Sequence, residues 1–161
     1  LDLFTAAGLT VTSLELESQA IARSIIDAHD DNSYLILNLE RAKTGFYIAT
    51  GDAVQFTSTM VITSDDMVGL CEEITKIYWH AHGENKEKSG RTISKILLCG
   101  EGAAKEGVQD GISKTVGIEV EIANVWKNVF VFDKYVPDIP LKDSFGYAAA
   151  IGLALPPHSQ Y

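Results

Sequence analysis

Residues 33–62, SYLILNLERAKTGFYIATGDAVQFTSTMVI, decide the fold. Three runs rich in β-branched and aromatic side chains, Ser33–Leu39, Gly45–Thr50 and Ala53–Ile62, follow one another with only short breaks. The last two meet at Gly51-Asp52, a two-residue turn of the type that closes a tight hairpin. Three adjacent antiparallel strands are the consequence.

Working outward, Thr63-Ser64-Asp65-Asp66 reads as a helix start, with a capping hydroxyl and acids in the first turn. Beyond it Met67, Leu70, Cys71, Ile74, Ile77, Tyr78 and Ala81 form one apolar stripe at helical spacing. Trp79 falls off that stripe, either as a ring lying along the helix flank or as a contact surface for a partner. A polar loop, His82–Arg91, then leads to the apolar strand Thr92–Cys99. Gly100-Glu101-Gly102 opens a helix with Ala104, Val108, Ile112 and Val116 inward, stopped by Gly117. Ile118–Ile122 is a further strand. Past Pro137 and Pro140, Ser144 is expected to cap a last helix, Phe145–Leu155, apolar all round and stopped by Pro156-Pro157.

Upstream, residues 9–15 alternate like a half-buried strand, and Glu17–His29 carry Ile21, Ala22, Ile25 and Ile26 at helical spacing. LDLFTAAGL looks like the last turn of a helix, which reads as the chain being a fragment. From residue 33 the order is β-β-β-α-β-α-β-α. Right-handed crossovers turn that order into a five-stranded mixed sheet in an α/β, ribonuclease-H-like lobe with helices on both faces. The expected division is 1–32 as the last strand and helix of a preceding lobe, 33–155 as the second lobe, and 156–161 as a tail.

Composition narrows the function. With 46% apolar and 22% charged residues the chain reads as an ordinary globular domain. A net charge of −9 disfavours nucleic acid and anionic lipid, and the only basic cluster, Lys86, Lys88 and Arg91, sits in the polar loop. Cys71 and Cys99 lie within apolar patterns and read as buried thiols, which suits a reducing cytoplasm. No apolar run approaches the ~20 residues that cross a bilayer, and no signal peptide is visible. His80 and His82 are two apart, the wrong spacing for a metal pair on a helix, so no metal site is expected.

Four ordered stretches resemble the PilM family, the cytoplasmic actin-like proteins of type IV pilus assembly. AAGLTVTSLELESQAIAR (6–23) matches an AGL-strand followed by E-x-x-A-x-A-R, with Glu17, Ala20, Ala22 and Arg23 in place. YLILNLERAKTGFYIATGDAVQFTSTM (34–60) matches the strand–turn–strand of the second phosphate motif. ISKILLCGEGAAKEGVQDGISKTVGIEVEIANVW (93–126) matches the adenosine-motif strand and helix with an N-P-W-like segment, and DSFGYAAAIGLAL (143–155) the closing Y-A-x-A-I-G-L-A-L helix. The resemblance implies one lobe of the actin, Hsp70 and sugar-kinase superfamily. It implies a cytoplasmic protein peripheral to the inner membrane through its partners, without inserting into it. Those partners would be pilus-assembly proteins, including a PilN-like peptide that docks mainly on the other lobe.

The departures from the family pattern bear on the cofactor. Where the superfamily has D-x-G and a following Thr, this chain has Asn38, Glu40 and Thr44. Asn is a poorer partner for hydrated Mg²⁺, and Glu40 brings a negative charge to the place where phosphate approaches. Unit charges about 4 Å apart repel by roughly 4 kcal/mol at an effective dielectric near 20. Arg41 and Lys43 offset part of that. One of the two adjacent adenosine-motif glycines is replaced in Gly100-Glu101-Gly102, and the Pro of N-P-W is Val125. Glu17 stands where relatives carry the acid near the attacking water, although an acid in a first helical turn is stabilising in any case. The inserted subdomain of actin-like second lobes is reduced or absent. The expectation is a scaffold with a degenerate nucleotide site and either no cofactor or weak ATP/Mg binding. The alternatives are an ATP-binding or weakly hydrolysing protein, with Glu17, Asn38, Thr44, Gly100 and Gly102 lining the pocket, or a GspL-like platform of type II secretion.

Overall fold

Ser33–Leu39 (β1) is buried at every position, which only a strand covered on both faces can be. Its neighbours explain why. β1 pairs antiparallel with Thr44–Thr50 (β2), which pairs antiparallel with Ala53–Met60 (β3). On its other side β1 runs parallel to Ile93–Cys99 (β4), which runs parallel to Val120–Ile122 (β5). The computed structural model, which describes residues 2–27, 29–51, 53–83, 92–130 and 137–156, thus holds one sheet in the order β3-β2-β1-β4-β5. This is the mixed five-stranded sheet that the order of elements predicts.

Alternation along β1 sends Leu35, Leu37 and Leu39 to one face and Tyr34 and Ile36 to the other. The first face is covered by Met67–Gly83 (α3) through Leu70, Cys71, Ile74 and Ile77, and by Val108–Val116 (α4) through Val108 and Ile112. The second is covered by Glu17–Ile25 (α2) and Ala148–Ala154 (α6) through Ile21, Ala22, Ile25 and Ile151. So α2, which the sequence reading groups with a preceding lobe, packs on this sheet. It meets α6 with almost no gap: a Cβ on Gly152 would collide with the Ala20 carbonyl.

Several local expectations are corrected. Residues 9–15 form no strand; no described strand lies beside them, and Leu9, Leu14 and Leu16 are exposed. A short helix, Asp2–Ala6 (α1), precedes them. α2 stops at Ile25 rather than His29, because the Asn128 amide donates to the carbonyls of Arg23 (2.8 Å) and Ile26 (2.6 Å) and satisfies that helix end. The cap of α3 is Asp66, whose Oδ1 accepts the Gly69 N–H at 2.9 Å. Gly100 leads into a 3₁₀ turn, Glu101–Ala104, in which Ala103 rather than Ala104 is buried. The extended Lys105 and left-handed Gly107 delay α4 to Val108.

The last helix is also broken. Leu141–Ser144 (α5) and a 3₁₀ turn, Phe145–Tyr147, precede α6, and the Ser144 hydroxyl donates backward to the Leu141 carbonyl instead of capping forward. α6 packs by one face only, leaving Tyr147 beside it and Leu153 within it half exposed. Between β3 and β4 the described chain supplies only α3; Lys86, Lys88 and Arg91 lie outside the described residues.

Candidate functional site

The C-terminal ends of the parallel strands β1 and β4 open into a cleft, the position at which open α/β sheets carry ligands. The cleft is about 320 Å³ and lined by Glu17 and Ile21 of α2, Asn38, Glu40 and Arg41 after β1, Gly100 and Glu101 after β4, and Gly146 and Ala149 near α6. Folding therefore brings Glu17, Asn38, Glu40 and Gly100 together from three distant parts of the chain.

Thr44 and Gly102 are placed differently. Thr44 is fully buried and its hydroxyl donates to the Ile62 carbonyl at 2.7 Å, which ties β2 to the chain leaving β3. Gly102 packs under β1, where an added Cβ would lie 3.0 Å from both Leu39 Cβ and Ser64 Oγ. Neither lines the cleft.

The polar groups within the cleft are largely committed to one another. The Asn38 amide donates to Glu40 at 3.0 Å, and its carbonyl receives the Cys99 thiol at 3.8 Å. Lys43 pairs with Glu40 at 3.4 Å, and Arg41 pairs with Glu101 across the mouth. Tyr47 donates to Glu17 at 3.4 Å, and Gly45 leaves the room its ring needs, since a Cβ there would strike the Tyr47 hydroxyl. Burial, and then the Glu17 charge, pushes the Tyr47 hydroxyl well above its ordinary value of 10.0. Burial likewise raises the Cys99 thiol, helped by Glu17 and Glu40.

Gly100 is dictated by packing. Its φ is +84°, and an added Cβ would strike the Leu39 carbonyl and sit 2.7 Å from the Leu39 nitrogen. Its N–H donates to the Phe145 carbonyl at 2.9 Å, so the same residue fastens the end of β4 to the turn before α6.

Among the described residues the cleft therefore holds three carboxylates, Glu17, Glu40 and Glu101, against one lining cation, Arg41, with Lys43 paired to Glu40. That field favours cations and repels anions. Among the described residues no group of three or more His, Cys, Asp or Glu side chains is arranged to hold a metal. Sequence reading missed Arg41–Glu101 as a pair, and also Gly146 and Ala149. The available signal was topological: residues just past two parallel neighbouring strands meet at one edge.

A second cluster missed from sequence centres on Arg23. Arg23 is buried, pairs with Glu15 at 2.5 Å and donates to the Gly152 carbonyl at 3.0 Å. It joins the segment before α2 to the end of α6.

No family model and no curated protein matches the chain. Solved structures do. A chain of the PilM-PilN type IV pilus biogenesis complex superposes with a TM-score of 0.71 at 18% identity, over 93% of this chain and 54% of that one. MreB5 of Spiroplasma citri bound to AMPPNP gives 0.66 at 10% identity, over 95% and 61%. The ethanolamine utilization protein EutJ from Carboxydothermus hydrogenoformans gives 0.57 at 15%, over 94% and 57%. This chain thus spans a little over half the length of the structures it matches, and its fold is that of an actin-type lobe.

Proposed function

We propose that this lobe belongs to a PilM-like scaffold of type IV pilus assembly whose nucleotide site is degenerate. The observation that carries the second half is the pair of carboxylates, Glu40 and Glu101, flanking Asn38 in the cleft. A triphosphate with Mg²⁺ needs a carboxylate toward the metal shell and bare backbone N–H groups toward the phosphates. Here the metal-side position is an amide already held by Glu40, and two turn positions carry acids. These residues do not fit the group. The first half is supported by the likeness to the pilus biogenesis complex and by the four ordered motif stretches. Its partner would be a PilN-like peptide of the membrane machinery. Among the described residues no helix is long and apolar enough to cross a membrane, so attachment through such a partner is consistent with this reading.

The test is calorimetric titration of the intact protein with ATP and Mg²⁺. The expected result is no binding in the native sequence and recovered binding in the Asn38→Asp, Glu40→Gly double variant. Micromolar binding that Glu40→Gly leaves unchanged would overturn the degenerate-site reading and favour an ATP-binding protein.

A further inference from the structure

β3 forms an edge of the sheet, paired with β2 on one side only among the described strands. An unpaired ladder of N–H and C=O groups accepts another strand, and proteins normally blunt such edges with charges, proline or short length. The opposite edge, β5, is blunted by being three residues long. β3 has eight residues, and from Ala53 to Ile62 there is neither a proline nor a charged side chain. The register shift opposite Ile48/Ala49 leaves Gln55 as an extra residue, so the regular ladder runs from Phe56 to Met60.

Those five residues, Phe56-Thr57-Ser58-Thr59-Met60, read almost the same in both directions. An antiparallel second copy centred on Ser58 sets Phe56 against Met60 and Thr57 against Thr59, each twice. Aromatic–apolar and Thr–Thr cross-strand pairs are both favourable. Phe56 and Met60 are half-buried on the face shared with α3, while Thr57 and Thr59 are exposed on the other. Just beyond the strand Val61 is 92% exposed, which extends the neutral strip. Charge selects the occupant too. Copies carrying −9 each repel over most of their surface, and this uncharged strip is where they can approach.

We propose that the β3 edge is a self-association site, at which two copies of this chain pair Phe56–Met60 antiparallel about a two-fold axis at Ser58 and join their sheets. The interface is a small one, so the dimer is weak and reversible. The alternative surface is an apolar groove of about 510 Å³ between α3 and α4, lined by Met67, Val68, Cys71 and Gly111.

Sedimentation equilibrium of the intact protein should show a reversible monomer–dimer equilibrium. Thr57→Lys with Thr59→Lys sets like charges face to face and should weaken association by about tenfold or more. Thr57→Glu with Thr59→Glu should do the same, and mixing the two variants should restore a dimer. Ser58→Cys should give a disulfide-linked dimer on oxidation, because Cys71 and Cys99 are buried. Unchanged thermal midpoints would show that the variants fold. A native protein that stays monomeric at every concentration would overturn the proposal. So would homodimers that survive both charge variants, or loss of the dimer in Thr115→Lys, in the α3–α4 groove, but not in the β3 variants.

Discussion

The turn after β1 and the turn after β4 end side by side in one cleft, yet different forces hold them. After β4, Gly100 is fixed by contact: left-handed backbone, the Leu39 peptide against its Cα, and a hydrogen bond to Phe145. After β1, Glu40 closes its turn by a backbone bond to the Lys43 carbonyl at 3.0 Å, and its side chain accepts from Asn38 and pairs with Lys43. The first residue is required by the sheet and the second is free to change. Packing alone therefore requires glycine at position 100, whether or not a nucleotide binds beside it.

The comparison breaks most directly at Gly100. Gly100→Val should cost about 3 kcal/mol or more, or prevent folding, since it adds strain and a backbone collision together. Urea denaturation against Glu40→Gly, expected to lie within about 1 kcal/mol of the native protein, measures the contrast. Equal losses at the two positions would refute it.

Arg23 gives a yardstick for how far packing dictates this lobe. Arg23→Ala leaves the Glu15 carboxylate unpaired and the Gly152 carbonyl without its donor, and should cost about 3 kcal/mol. A loss much below that in the same urea assay would mean that the pair is exchanged readily for water.

Tyr47 sharpens the picture of the cleft by pH. Its folded value is raised, so the unfolded chain ionises first, and the stability it contributes is complete below pH 10.0 and lost as pH rises beyond. Thermal midpoints should fall above that pH, and Tyr47→Phe should flatten the fall. An unchanged alkaline profile in the variant would remove Tyr47 as its source. The smallest effect belongs to Arg41→Ala. Its ion pair with Glu101 is exposed to solvent, and its loss should shift stability by no more than about 0.5 kcal/mol. The same variant, titrated with ATP, reports whether Arg41 aids any residual phosphate binding.

Sequence reading was most accurate where one local rule governs. The apolar, β-rich residues of β1 fixed that strand to the residue, and the helical stripe from Met67 to Ala81 placed α3. It was least accurate where a distant partner decides. Residues 9–15 alternate like a strand, but none of the described strands pairs with them. α2 ends where Asn128, about a hundred residues later, satisfies its carbonyls. The closing helix breaks where Gly100 draws on the Phe145 carbonyl.

The sequence by itself determined the order of elements, hence the sheet and its two covered faces, because hydrophobic periodicity and turn chemistry are local. It also exposed the acids at positions 40 and 101. Only the tertiary structure decided that these acids share a cleft with Glu17, that Thr44 turns away from it, and that Gly100 is held by the Leu39 backbone. Those facts depend on which strand ends become neighbours. Parallel pairing of β1 with β4, across a separation of some sixty residues, sets them.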